Sequence, residues 1–244
     1  MKKMMALTCA LAAVAATAEL PTIEGADAKA SGFTAVTLDA GVKTMIAVPY
    51  QACGGAAAIA IKDLVSTQNL ATATSSAGAN TAARLYVLQA TSVSPVYNVY
   101  YLDRENGWSV VEAGTPAPTS TLTAGDAFFL ENPSAVTAYT KGGLVTTAQN
   151  TSCAQGYNLV SAISTEAYTL GDLTFTTPTG AAKMKNADRI ILQDTTTYWY
   201  KAGTGWYSQG ASVALSSVTI PAGTGFWYYN VSETPVVITP ASGN

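Results

Sequence analysis

Apolar residues in this chain come in short runs that alternate with polar positions or stop at Gly, Pro, Asn and Asp. That pattern predicts short β-strands. Phe33 to Leu38 alternates and is rich in Thr and Val, and Asp39-Ala40-Gly41 turns the chain. Thr44 to Val48 reads as a buried strand stopped by Pro49. Ile59 to Val65 is apolar at 59, 61, 64 and 65, which predicts a short helix. Leu85 to Gln89, Tyr97 to Leu102 and Trp108 to Val111 read as strands. Asn106-Gly107 is the expected hairpin turn between the last two, because both residues tolerate positive φ. Ala127 to Glu131 is a strand entered through Gly125, and Val236 to Thr239 closes the chain. A further hairpin is expected from Val136 to Tyr139 and Leu144 to Ala148 around Lys141-Gly142-Gly143. Many short strands with few helical periods predict a mainly β protein of sandwich or barrel-like architecture with at most short helices.

The pattern repeats. Gly107-Trp108 returns as Gly205-Trp206, Gly125 as Gly223, and Phe128 as Phe226, all 98 positions apart. Upstream, Arg84 to Gln89 parallels Arg189 to Gln193, Ile61 to Leu64 parallels Leu170 to Leu173, and Gly41 to Pro49 parallels Gly156 to Ile163. The expected organisation is a leader at 1–18, a first β module at 19–134 and a second at 135–244. Ser75 to Thr81 and Thr91 to Pro95 read as loops trimmed from the second copy.

The leader rests on Lys2 and Lys3, an uncharged apolar run from Met4 to Ala16, and Ala16-Thr17-Ala18 as the cleavage signal. That run is shorter than the ~20 residues a membrane span needs, so export without a transmembrane segment is expected. The destination is the cell surface, the extracellular space or the periplasm. Only 11% of residues are charged and the net charge is −3, which leaves no basic patch for nucleic acid. Two cysteines follow the leader, Cys53 and Cys153. They are a candidate disulfide closing a loop of about a hundred residues, worth ~4–5 kcal/mol in chain entropy. Two buried thiols are the alternative.

The chain has no histidine. That excludes Ser-His-Asp and Cys-His triads, His-ligated zinc and imidazole acid–base work. A carboxylate pair for glycoside hydrolysis would come from Asp103, Glu105, Glu112, Asp126, Glu131, Asp172 and Asp188. The first two flank a turn, where acids bond the local backbone. Asp63 and Asp172 recur between the copies and read as caps. No cofactor is implied. Calcium, held by Asp and backbone oxygens, is the ion such a surface favours, although no EF-hand spacing is present. Aromatics supply the strongest functional signal. Tyr198 and Tyr200 share one strand face and Trp199 takes the other, while Phe226 and Tyr228 oppose Trp227 and Tyr229. Trp199, Trp227 and Tyr229 are the candidates for stacking on a glycan or a protein partner, unless both faces are buried.

The order of landmarks in the second copy is Gly156-Tyr157-Asn158-Leu159-Val160-Ser161, Asp172-Leu173, Gly205-Trp206 and Ile220 to Trp227. It resembles a tandem β module of bacterial exported and cell-surface proteins, a family of unknown function. The first copy keeps Pro49, Asp63-Leu64, Gly107-Trp108 and Gly125 to Phe129 but lacks the Asn-Leu pair. The resemblance implies an extracellular β module and no shared activity. The functional expectation is a non-catalytic structural or interaction protein of the cell surface or matrix, able to self-assemble and partnered by its own copies or by surface proteins. The alternatives are a carbohydrate-binding module using the aromatic strands and, third, a glycoside hydrolase-like enzyme.

Overall fold

The computed structural model describes residues 31–90, 94–112, 120–145 and 149–240. The expected leader lies outside them, as do positions 91–93 of the expected Thr91 to Pro95 loop and 146–148 of the expected Leu144 to Ala148 strand. The described chain is mainly β.

The N-terminal half contributes β1 (Ser31–Leu38), β2 (Thr44–Ala47), β3 (Tyr50–Gln51), β4 (Ala58–Ala60), α1 (Ile61–Leu64), β5 (Arg84–Ala90), β6 (Val96–Asp103), β7 (Gly107–Val110), β8 (Thr121–Thr123), β9 (Ala127–Glu131) and β10 (Val136–Leu144). The C-terminal half contributes β11 (Thr151–Cys153), β12 (Gly156–Val160), β13 (Tyr168–Thr169), β14 (Leu173–Phe175), β15 (Arg189–Ile191), β16 (Thr197–Lys201), β17 (Gly205–Ser208), β18 (Ala211–Ser212), β19 (Thr219–Ile220), β20 (Phe226–Asn230) and β21 (Val236–Pro240).

Strand pairing follows the same plan twice. The larger sheets run β2-β9-β5-β6-β7 and β12-β20-β15-β16-β17-β18. Small ladders β4-β8 and β13-β19 accompany them, as do three-stranded sheets β1-β10-β3 and β11-β21-β14. Val65, just past α1, bridges Thr140 on β10 as β14 pairs with β21. Each half closes its own core. Leu38, Ile46, Tyr50, Ile61, Leu85, Leu102 and Phe128 fill the first, and Cys153, Val160, Leu170, Ile190, Phe226 and Tyr228 fill the second.

Three local expectations are corrected. Val136 to Leu144 is one strand, not half of a hairpin. Gly142 and Gly143 do not turn there. A Cβ on Gly142 would stand 2.7 Å from Tyr50 Cβ and 2.8 Å from the Gln51 carbonyl oxygen, so glycine serves close strand packing. The strand starts beyond the expected 134/135 boundary yet pairs with β1 from Ser31–Gly143 to Leu38–Val136. The Asn106-Gly107 turn is a three-residue loop closed by the Asp103–Gly107 pair, with positive φ at Gly107 and not at Asn106. Asp103 Oδ1 explains this, because it accepts from the backbone N–H of both Glu105 and Asn106. Ser76–Thr81 is a 3-10 turn that buries Ala79, not a plain loop.

Candidate functional site

The halves meet through a reciprocal contact. Asp126 bridges Val160, and its repeat equivalent Thr224 bridges Ile46. Ser161 N–H donates to the Gly125 carbonyl at 2.8 Å, and Ala47 N–H donates to the Gly223 carbonyl at 2.8 Å. The turn before β9 thus bridges the end of β12, and the turn before β20 bridges the end of β2. Gln193 reinforces the junction, since its Oε1 accepts from Met45 N–H at 2.7 Å and its Nε2 donates to the Lys43 carbonyl at 2.8 Å. Equivalent residues also face each other as side chains. Phe129 and Trp227 pack at 5.8 Å between ring centroids, in a cluster with Met45, Ala127 and Leu159. Trp227 is therefore junction core, 9% exposed, and not displayed.

The rest of that sheet face remains partly exposed. One cross-strand row runs Tyr157–Tyr229–Arg189–Trp199–Tyr207–Ser212 through six strands. Its first five members are neither fully buried nor fully exposed. Tyr157 and Tyr229 meet edge to face at 4.6 Å, and Trp199 and Tyr207 at 5.4 Å. Arg189 lies over the Tyr229 ring at 4.1 Å, and Lys201 over Tyr207 at 4.1 Å. At about 4.8 Å per strand, Tyr157 to Tyr207 spans ~19 Å. Two of the three expected contact aromatics, Trp199 and Tyr229, are thus brought together. Sequence reading missed Tyr157, Tyr207, Arg189 and Lys201, because only sheet order sets them beside one another. On the opposite side, Phe175, Tyr200 and Trp206 line a shallow depression.

The first half treats the same positions differently. Arg84, equivalent to Arg189, forms a 2.7 Å ion pair with Glu131, which stands where Tyr229 stands in the second half. Tyr86 hydroxyl also donates to Glu131. Burial first, then that carboxylate, pushes the Tyr86 hydroxyl up to about 12.

Five of the seven candidate carboxyls are engaged by local partners and two are exposed. Asp103 closes its turn, and Asp126 accepts from Thr123 N–H and Oγ1. Asp172 forms a capping box with Thr169. Asp188, fully buried, accepts from Thr179 N–H, Val231 N–H and the Tyr228 hydroxyl, which fastens three segments of the second core. Desolvation, then the Asp188 charge, raises the Tyr228 hydroxyl well above its usual value. Glu131 is held by Arg84, while Glu105 and Glu112 are exposed. Asp63 does not cap α1; it is exposed and pairs with Lys62. Among the described residues no group of three His, Cys, Asp or Glu gathers as a metal ion requires.

The candidate disulfide is not formed. Cys53 and Cys153 are free thiols. Cys153 sits in the second core, where burial, then Asp188 and Asp126, pushes its thiol up to about 12. Cys53 lies in a turn beside β10, half-exposed in a hollow also lined by Lys62 and Asp63.

Among the described residues, no helix is long and apolar enough to cross a membrane, which says nothing of β-barrels. The described residues thus form a mainly β protein with a partly open aromatic sheet face in its second half. Comparison with family models, curated proteins and solved structures finds no match.

Proposed function

We propose that the chain is an exported, non-catalytic interaction protein built from two copies of one sandwich-like β module, working by surface contact. The partner class that fits best is a glycan, stacked on the aromatic row of the second half. The observation that carries this is the Tyr157–Tyr229–Arg189–Trp199–Tyr207 row, since flat rings on a rigid sheet offer an apolar platform at low entropic cost. A glycan microarray probed with the leaderless protein tests it. Binding that falls at least tenfold in Trp199→Ala and Tyr207→Ala supports the reading, and binding unaffected by both refutes that site.

A structural role in a surface layer or matrix is the second reading. It is favoured by Phe33, 39% exposed and packed on Tyr139 along the β1–β10 ribbon, which offers an apolar edge to another copy. Size-exclusion chromatography separates the two, because assembly that disappears in Phe33→Ser points to this reading.

A further inference from the structure

The aromatic face carries two cations and no acid. Arg189 and Lys201 both lie on it, and every other side chain that alternation places there is neutral. Among the described residues Arg189 makes no ion pair, and its Nε is buried without a hydrogen-bond partner. Its guanidinium carbon stands 4.1 Å from the Tyr229 ring centroid, so the ring meets the cation without offering a carboxylate acceptor.

The first half shows what that position accepts. There the equivalent Arg84 meets the Glu131 carboxylate at 2.7 Å, and Glu131 comes from the strand position that Tyr229 occupies in the second half. One copy supplies its carboxylate internally and the other replaces it with a ring. We infer that the second half takes its carboxylate from the ligand, so that the row binds an acidic, uronate-bearing polysaccharide. Trp199 and Tyr207 would stack on sugar faces, Arg189 would pair a ring carboxylate in bidentate geometry, and Lys201 would meet a neighbouring one as a point charge.

This inference rests on the glycan reading above, and the test separates the two. Polygalacturonate, its fully methyl-esterified form and a neutral glucan are compared by affinity electrophoresis against wild type, Arg189→Gln and Trp199→Ala. Circular dichroism checks that each variant is folded. Polygalacturonate should be retained, with at least tenfold weaker retention on methyl esterification, in Arg189→Gln, or at high salt. Equal binding of the ester, or unchanged binding by Arg189→Gln, overturns the acidic-ligand inference. If Trp199→Ala still abolishes that binding, the glycan reading stands without it. Absence of binding to all three polysaccharides overturns both.

Discussion

Phe129 and Trp227 occupy equivalent places in the two halves and touch only because the halves pack reciprocally. Trp227 also meets Tyr157 at 5.6 Å and lies among Met45, Ala127 and Leu159. Truncating so buried an indole, as in Trp227→Ala, should cost about 3–5 kcal/mol. That is a large share of the ~5–15 kcal/mol a domain has in total. The sharper perturbation keeps bulk and removes the rings. Trp227→Leu, Phe129→Leu and the double variant form a thermodynamic cycle whose coupling reads the ring pair itself. Aromatic pairs of this kind contribute about 0.5–1.5 kcal/mol beyond burial. Urea unfolding followed by circular dichroism measures each free energy, with the slope checked for two-state behaviour. Trp199→Leu, on the open row, provides the control and should show no coupling to Phe129→Leu. Single-variant costs that sum to the double-variant cost within ~0.3 kcal/mol would refute the junction, since independent sites add that closely.

Three further outcomes follow from the same geometry. Gly223→Ala places a Cβ 2.6 Å from Val36 Cγ2 at a φ of +70°, whereas Gly203→Ala, at +74°, meets nothing within 4 Å. The first should lose about 2–5 kcal/mol and the second about 1–2, because only the first adds overpacking to backbone strain, and thermal unfolding would show it. Backbone N–H donors hold the Asp103 carboxyl below its usual 3.8, chiefly that of Asn106, and the Thr169 N–H does the same for Asp172. Their stabilisation is complete above the unfolded pKa and is lost as pH falls through the lower folded value. Stability should thus drop below about pH 4, less steeply in Asp103→Asn or Asp172→Asn, as read by urea midpoints across pH 2–7. Iodoacetamide at pH 8 should modify Cys53 quickly and Cys153 only after unfolding, as peptide mapping by mass spectrometry would report. A Cys53–Cys153 cross-link in the non-reduced map would contradict the free thiols.

Much of the strand layout was legible in local pattern. β9 has the bounds that alternation gave, and β1, β5, β6 and β7 differ from expectation by a residue or two, because period-2 alternation and turn residues act locally. The 98-residue offset carried further than any single motif, since it anticipated that Asp126 and Thr224, or Phe129 and Trp227, hold like positions. Lys141-Gly142-Gly143 misled because glycine serves turns and close approach alike, and only the neighbouring Tyr50 and Gln51 distinguish them. The candidate site was half legible. Trp199 and Tyr229 stood out as aromatics on one face, whereas Arg189 became part of the site only when β15 was seen between β20 and β16.

Local spacing alone encodes a mainly β chain, its repeating landmarks, and which residues of each strand share a face, because backbone pleating converts spacing directly into sidedness. Tertiary structure decided what covers each face. Trp227 and Trp199 read alike in the chain, yet one seals the junction against Phe129 and the other stays partly in solvent. That difference arises from packing between strands far apart in sequence, which no local spacing encodes.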